Sequence, residues 1–435
     1  MRFLFTTFEG GGHVPPPLAV ASALTARGHE VLFVSDEANR AAAEASGLTF
    51  ESWATAPNRL VLGDGDDPLR DWRPRLPWTV VKAVCEGVIG RPARAYAADA
   101  AALITRFAPD VVVSNELLFG VMIAAEATNT PLALLTSNVW CFPTRADQPP
   151  FGPGFPPART AFEARREMAA RQMIARWYDV ALTDLNPARE AFELKPLEHA
   201  LDQLTAADRI LLGVSRAFDY DAAEPPRPFV YVGPLGRRPA WAQTSSDEAG
   251  LIDPSRPNVL VSFSTTHQGQ SATVKRVVRA LAGLDVHAIL TLGPALKSVA
   301  LPRAANVTVV EKADHDVLAP LCDLMICHGG HGTVLRPLLH GKPVLVIPTG
   351  RDQPDNAARI AFAGAGIRLP RWSGVRRIRN AVARILSDSA YASAARDLAP
   401  RLARDNVGPE RAVEVLEALA TSAAGSPGGS LREAG

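Results

Sequence analysis

The sequence predicts an α/β chain made of two parallel-sheet domains in tandem and closed by a C-terminal helix. Three observations predict it. Short apolar strands alternate with helical segments from residue 2 onward, and the same alternation restarts at Val259. Between the two runs, Glu224–Pro257 is rich in Pro and Gly and carries a polar Thr-Ser-Ser-Asp-Glu segment. Strands that alternate with helices make a parallel sheet covered on both faces, and such a composition shift reads as an interdomain linker. At 435 residues each half is long enough to bury its own core. The expected division is a Rossmann-like first domain over 1–223, a linker over 224–257 and a Rossmann-like second domain over 258–421. The Gly/Ser-rich segment 422–435 is expected to be disordered.

The elements follow in order. Arg2–Thr7 is an apolar strand, followed by a glycine-rich turn and an amphipathic helix over Pro15–Arg27. Gly28 stands where a left-handed helix stop belongs. Glu30–Ser35 is the next strand and Asp36–Ser46 the next helix; Asp110–Ser114, Leu117–Thr128 and Pro131–Thr136 repeat strand, helix, strand. Two stretches break the pattern, polar Thr55–Arg75 and Pro143–Pro157, which is dense in Pro, Gly and Phe. Long irregular loops of this kind are binding loops, lids or disordered segments. Helical pattern returns over Arg159–Asp179. In the second half, Val259–Ser264, Val286–Leu292, Asn306–Val310, Asp323–Cys327 and Pro343–Ile347 read as strands, with a helix over Ala272–Leu284 and a last one over Glu410–Thr421.

Composition narrows the function. A hydrophobic fraction of 47% with 21% charged residues is ordinary globular usage. A formal net charge of +1 gives no global attraction to nucleic acid or to an anionic membrane. Apolar runs fall far short of the ~20 residues needed to span a bilayer, and the apolar stretch of MRFLFTTF is too short for a secretory signal. Cys85, Cys141, Cys322 and Cys327 show no Cys-x-x-Cys spacing, which fits buried thiols in a reducing cytoplasm.

Two glycine clusters carry the chemistry. Gly10-Gly11-Gly12-His13 lies between the first strand and the first helix. A dinucleotide-binding turn would need G-x-G-x-x-G/A and an acidic residue about 20 positions later. Asp36 suits the second requirement, but Pro15, Pro16 and Pro17 occupy the helix start and remove amides that a pyrophosphate would use. His13 has two readings: a residue that merely caps the turn, or an imidazole kept neutral by the helix N-terminus and able to accept a proton.

The second cluster, His328-Gly329-Gly330-His331-Gly332-Thr333, follows a strand and opens a helix. Glycines at the carboxyl end of a parallel strand let amides approach a phosphate, and the helix start favours its charge. Thr333 adds a hydroxyl and His328 a ring donor. No P-loop lysine and no adjacent acid pair accompany them, so the pattern reads as metal-free diphosphate binding or as a plain tight turn. One strand later come Asp352 and Gln353, a carboxylate beside an amide, which reads either as an ordinary solvated loop pair or as a pair suited to adjacent sugar hydroxyls. Ser264 and Thr265 end the first strand of the second half and either face the same diphosphate or form a turn.

Taken together these residues resemble the family-1 glycosyltransferases of the GT-B fold, especially bacterial macrolide-type members acting on natural products. The likeness spans nearly the whole chain. GGGHVPPPLAVASALTARGHEV is similar to the family's opening, VGPL at Val232–Leu235 to the segment before the linker, and VLVSFST at Val259–Thr265 to the first strand of the donor domain. HGGHGTVLRPLLHGKPVLVIPTGRDQPDNA, at His328–Ala357, resembles the donor signature in order and spacing. The resemblance implies His13 as catalytic base, His328, Gly330, Gly332 and Thr333 on the diphosphate, and Asp352 and Gln353 on the sugar. It places His315 at a nucleobase-side position where relatives have Gln or His. The Asp that usually partners the catalytic His is replaced by Asn115, followed by Glu116, and Lys312 stands about where a base-stacking Trp is expected.

The implied reaction is inverting, metal-independent transfer from a nucleoside-diphosphate sugar, UDP or dTDP, to a small hydrophobic acceptor, with that donor as co-substrate and no cofactor. Trp53, Trp72, Trp78, Trp140, Phe142, Phe151 and Phe155 gather in or beside the irregular stretches and suit a flat acceptor as well as ordinary packing. A sugar-nucleotide 2-epimerase of the same fold, or a non-catalytic nucleotide-sugar-binding protein, is the alternative.

Overall fold

The computed structural model describes residues 1–61, 76–220, 224–236, 248–263, 268–297 and 299–424. Seven strands form the first sheet: β1 (Arg2–Thr6), β2 (Glu30–Ser35), β3 (Thr49–Ser52), β4 (Val111–Asn115), β5 (Leu132–Thr136), β6 (Arg209–Leu212) and β7 (Phe229–Tyr231). Their order is β3-β2-β1-β4-β5-β6-β7. Six form the second: β8 (Asn258–Ser262), β9 (His287–Thr291), β10 (Val307–Val310), β11 (Leu324–Cys327), β12 (Val344–Val346) and β13 (Gly366–Arg368), in the order β10-β9-β8-β11-β12-β13. Every pairing is parallel.

The interior strands are apolar on both faces because helices cover both. Leu4 packs to one side of the first sheet with Tyr96, Ile104 and Phe119, while Phe3 and Phe5 pack to the other with Leu18, Val20 and Leu24. That alternation is the two-residue period of a strand. The helix Pro15–Ala26 starts on prolines, whose missing N–H groups cost nothing in the first turn, and Gly28 leaves it at φ 83°.

Three expectations are corrected. β7 falls inside the stretch read as linker and extends the first sheet through Ile210↔Phe229, so the crossing segment starts later than residue 224. The last helix, Gly408–Ala424, belongs to the layers of the first sheet and not to the second domain. Its Val413, Leu416 and Leu419 are buried with Phe3, Leu18 and Val20, completing a face that the helix Pro15–Ala26 covers only in part. Gly233 marks the crossing, since a Cβ there would stand 1.9 Å from the carbonyl oxygen of Asp405. Residues 422–424 of the expected tail continue that helix, and 425–435 lie outside the described residues.

The irregular stretch Pro143–Pro157 is tightly packed, with Arg145 and Gln148 buried. It reaches the second domain: the Gly152 amide donates to Asp355 Oδ2 at 3.0 Å, and Arg368 Nη1 donates to the Gly154 carbonyl at 2.7 Å. Buried Asp219 joins Arg145 of this stretch, at 3.3 Å, to Arg359 of the second domain, at 2.8 Å. Burial alone would raise the Asp219 carboxyl; Arg359, Tyr231 and Arg145 hold it below the usual carboxylate range. Of Thr55–Arg75, residues 62–75 lie outside the described residues. No helix of the described residues is long and apolar enough to cross a membrane.

Candidate active site between the two sheets

In each sheet the strand order reverses once, between β1 and β4 and between β8 and β11. Ligands of parallel sheets lie in the crevice outside the carboxyl ends of strands at such a switch point. Both glycine clusters open from these positions.

On the first sheet, His13 follows β1 and Asn115 ends β4. The sheet brings together residues 102 apart, and Asn115 Nδ2 stands 3.1 Å from His13 Nδ1. Phe8 stacks on the imidazole with ring centroids 5.4 Å apart. Gly10 lies against the ring's edge, where a Cβ would come within 2.9 Å of Cδ2. Asn115 Nδ2 also donates to Glu116 Oε2 at 2.8 Å, and its Oδ1 accepts from the Leu117 amide at 3.0 Å. Burial, assisted by the positive charge of Arg351, lowers the His13 pKa to about 4. Burial pushes the Glu116 carboxyl up to about 8. Both groups are therefore neutral at pH 7, and Glu116 touches the histidine only through Asn115. Asp36 accepts the amides of Glu9 and Arg59, each at 2.6 Å, and so braces its own loop.

On the second sheet, His328 leaves β11 and Gly330 caps the helix His331–Leu339 in an extended conformation. Gly329 sits at φ 102°, and a Cβ there would meet Val346 Cγ1 at 2.6 Å. A Cβ on Gly330 would meet the His328 ring at 2.6 Å, whereas one on Gly332 would enter open space, where a ligand's phosphate could approach the amides. Thr333 stands in the first turn, half-buried. His328 Nδ1 and His331 Nε2 are buried without a hydrogen-bond partner among the described residues. Burial lowers the pKa of each ring to about 4, with Arg351 acting on His328 and Arg359 on His331. Asp352 caps the helix Gln353–Phe362, and its Oδ2 accepts from Asn356 Nδ2 at 2.7 Å. The same oxygen accepts from Asn138 Nδ2, just past β5 of the first sheet, at 3.2 Å. Burial raises the Asp352 pKa. The two carboxyl edges thus face each other across a cleft bridged by Asn138 and Asp352.

Not every expected residue reaches that cleft. Gln353 is buried; its Oε1 accepts the Thr349 and Gly350 amides at 2.7 and 3.1 Å and its Nε2 donates to Gln268 at 2.7 Å, so it braces the loop beside Asp352 instead of presenting an amide to a sugar. His315 lies at the same edge but two strands away, its Nε2 3.1 Å from Thr291 Oγ1 and its pKa lowered to about 4 by burial and Arg336. Ser264, Thr265 and Trp72 lie outside the described residues. Trp53, Trp140 and Phe142 are core residues, the last two packed edge-on to each other, while Trp78 is exposed. Sequence reasoning missed Asn138 and Arg351. Neither belongs to a glycine cluster; the one available signal was that each lies in the loop after a strand, on the ligand side.

The family described as "Erythromycin biosynthesis protein CIII-like, C-terminal domain" matches residues 275–419. Over 430 residues the chain is 30% identical to 4'-demethylrebeccamycin synthase of Lentzea aerocolonigenes, covering 96% of this chain and 99% of that one. The chain belongs to the family-1 glycosyltransferases of bacterial natural-product biosynthesis. The fold of this glycosyltransferase is GT-B. It is similar to the solved glycotransferase of kitacinnamycin, with a TM-score of 0.73 at 21% identity over 96% of this chain and 98% of the other. A spinosyn rhamnosyltransferase complexed with thymidine diphosphate gives a TM-score of 0.64, again at 21% identity, over 96% of this chain and 100% of that one.

Proposed function

We propose that this glycosyltransferase moves a sugar, with inversion, from a UDP- or dTDP-sugar to a hydrophobic natural-product acceptor in the cytoplasm. The observation that carries the reading is the pair of switch-point crevices facing each other, one opening on glycine-lined amides and the other on a neutral imidazole. The donor's diphosphate lies over the start of the helix His331–Leu339, with His328 and Thr333 as side-chain partners, and Asp352 meets the sugar hydroxyls. The acceptor enters from the first domain, where the His13 imidazole stands beside its nucleophilic group. Attack on the anomeric carbon from that side displaces the diphosphate on the opposite side and inverts the centre. The leaving charge is met by preorganised amides at the helix start. The donor groups are amide and imidazole nitrogens, so turnover is expected to be unchanged by EDTA. A structural neighbour complexed with thymidine diphosphate supports a nucleoside-diphosphate donor.

A thermal-shift series with uridine and thymidine diphosphates and their sugars tests the reading. A ligand at 100 times its Kd should stabilise by about 2.7 kcal/mol. Turnover of the donor alone into an epimeric nucleotide sugar would replace the transferase reading with an isomerase.

A further inference from the structure

The hydrogen bonds around His13 fix more than the orientation of the ring. Asn115 Oδ1 is held by the Leu117 N–H, and that leaves Nδ2 as the atom facing His13 Nδ1. The two hydrogens of Nδ2 have two acceptors, Glu116 Oε2 and His13 Nδ1. Turning the amide over would set its NH2 against the Leu117 N–H, two donors face to face. A neutral imidazole that accepts at one nitrogen carries its proton on the other.

We propose that His13 carries its proton on Nε2 and presents it to the acceptor as a hydrogen-bond donor, so that the site takes an acceptor whose nucleophilic group arrives already ionised, such as a phenolate. The inference rests on the proposed placement of the acceptor at His13. An alcohol would need a base, and the nitrogen that would serve already holds a hydrogen. Among the described residues, the charged and titratable groups around the ring suit an anion. Arg351, at φ 56° in the loop after β12, brings a positive charge to bear on both His13 and His328. Behind Asn115 stand the neutral Glu116 carboxyl and Cys141, whose thiol burial holds well above its usual range. An Asp in place of Asn115 would accept an Nδ1–H and free Nε2 as a base; here that device is reversed.

The step balances without a base on the protein. The acceptor loses its proton to solvent before it binds. Its oxygen lone pair forms the bond to the anomeric carbon, the bond from that carbon to the diphosphate oxygen breaks, and its electron pair leaves with the nucleoside diphosphate. The Nε2–H aligns the oxyanion and stays on the ring throughout.

The test has two arms. Nitrogen-15 NMR of the full chain labelled at histidine, with His13 assigned by its loss in His13→Gln, reads the tautomer without any substrate. The expected spectrum shows a pyridine-type Nδ1 and a pyrrole-type Nε2, exchanged in Asn115→Asp; a pyrrole-type Nδ1 in the wild type overturns the proposal. The second arm measures kcat/KM against pH for a series of substituted 7-hydroxycoumarins and for a primary alcohol of similar size. The inflection is expected to follow each coumarin's own pKa, with the alcohol at least ~10²-fold slower. His13→Gln, which keeps an N–H donor, should lose at most about tenfold where His13→Ala loses about 10²-fold. An inflection fixed at one pH for all acceptors, with Gln as inactive as Ala, overturns the proposal while leaving the transferase reading intact. Absence of transfer to any acceptor from a UDP- or dTDP-sugar overturns that reading together with the proposal's second arm, and the tautomer result stands apart from it.

Discussion

The two carboxyl edges that face each other were built in different ways. The edge of the second sheet is local: His328, Gly330, Gly332 and Thr333 follow one another through a single strand–helix turn, and Asp352 lies one unit further. What it offers an anion is mostly backbone, amides laid open by glycines at a helix start. The edge of the first sheet is tertiary. His13 and Asn115 come from separate βα units, and Glu116 acts on the imidazole only through the amide between them. Both edges keep their imidazoles neutral, the rings of His13, His328 and His331 all near pKa 4 through burial. Yet the second edge uses neutrality in a cradle for a diphosphate, and the first uses it beside a nucleophile. A local motif can be replaced one group at a time, whereas a relay through one amide changes character with a single substitution.

The largest expected effect comes from separating the two edges. Asp219→Ala leaves Arg145 and Arg359 buried without their shared carboxylate. Stripping one partner from a buried ion pair costs about 3–5 kcal/mol, so denaturant unfolding should show a loss of that size. A loss below about 1 kcal/mol, the range of an exposed pair, would mean that the edges are held together some other way. Next in size is His13→Ala, expected to lower turnover about 10²-fold with donor affinity intact, read by steady-state kinetics beside calorimetry of the nucleotide sugar.

A third effect is spread over a pH window and concerns Glu116. Its carboxyl ionises near 8 in the folded chain against an ordinary 4.5, so the fold holds the extra proton between those values. Raising the pH through that window therefore costs stability. Glu116→Gln should remove the slope: the variant should match the wild type near pH 5 and exceed it above pH 8. The gain would be read in Tm at about 2–4 °C per kcal/mol. The neutral imidazoles act in the opposite sense, since the unfolded chain protonates them near 6.5 and the fold only near 4, so stability falls as pH drops through that window. Parallel Tm profiles of the two proteins from pH 5 to 8 would place a charged carboxylate at Glu116 after all.

How much of this was legible in the sequence follows the same division. Buried strands announce themselves by apolar runs, three valines at the start of Val111–Asn115 and all of Leu324–Cys327, and the helix Pro15–Ala26 by its prolines and Gly28. The edge strand Phe229–Tyr231 is three residues long amid Pro and Gly, too short for a two-residue period to show. The return of the helix Gly408–Ala424 to the first sheet is a matter of which apolar face lacks cover, and no local pattern carries that. At the site, the second edge was readable because glycines at a helix start have few other uses. Asp352 and Gln353 are adjacent, but a helix turns its successive residues about 100° apart, so one faces the cleft and the other the loop behind it. Trp53 and Trp140 went into the core for a related reason: an indole in a loop counts as exposed only until the chain folds over it, and each finds a partner for its N–H there, Trp53 on the Thr7 carbonyl at 3.0 Å and Trp140 on Thr144 Oγ1 at 2.8 Å. Asn138 was hidden because its role lies in the opposite domain.

The division of labour between the edges is tested most directly by calorimetry of bare thymidine or uridine diphosphate and of the corresponding nucleotide sugar against the wild type, His328→Ala, Asp352→Ala and His13→Ala. His328→Ala is expected to weaken both ligands, Asp352→Ala only the nucleotide sugar, and His13→Ala is expected to bind both as the wild type does. Equal losses of the bare diphosphate in all three variants would contradict that division.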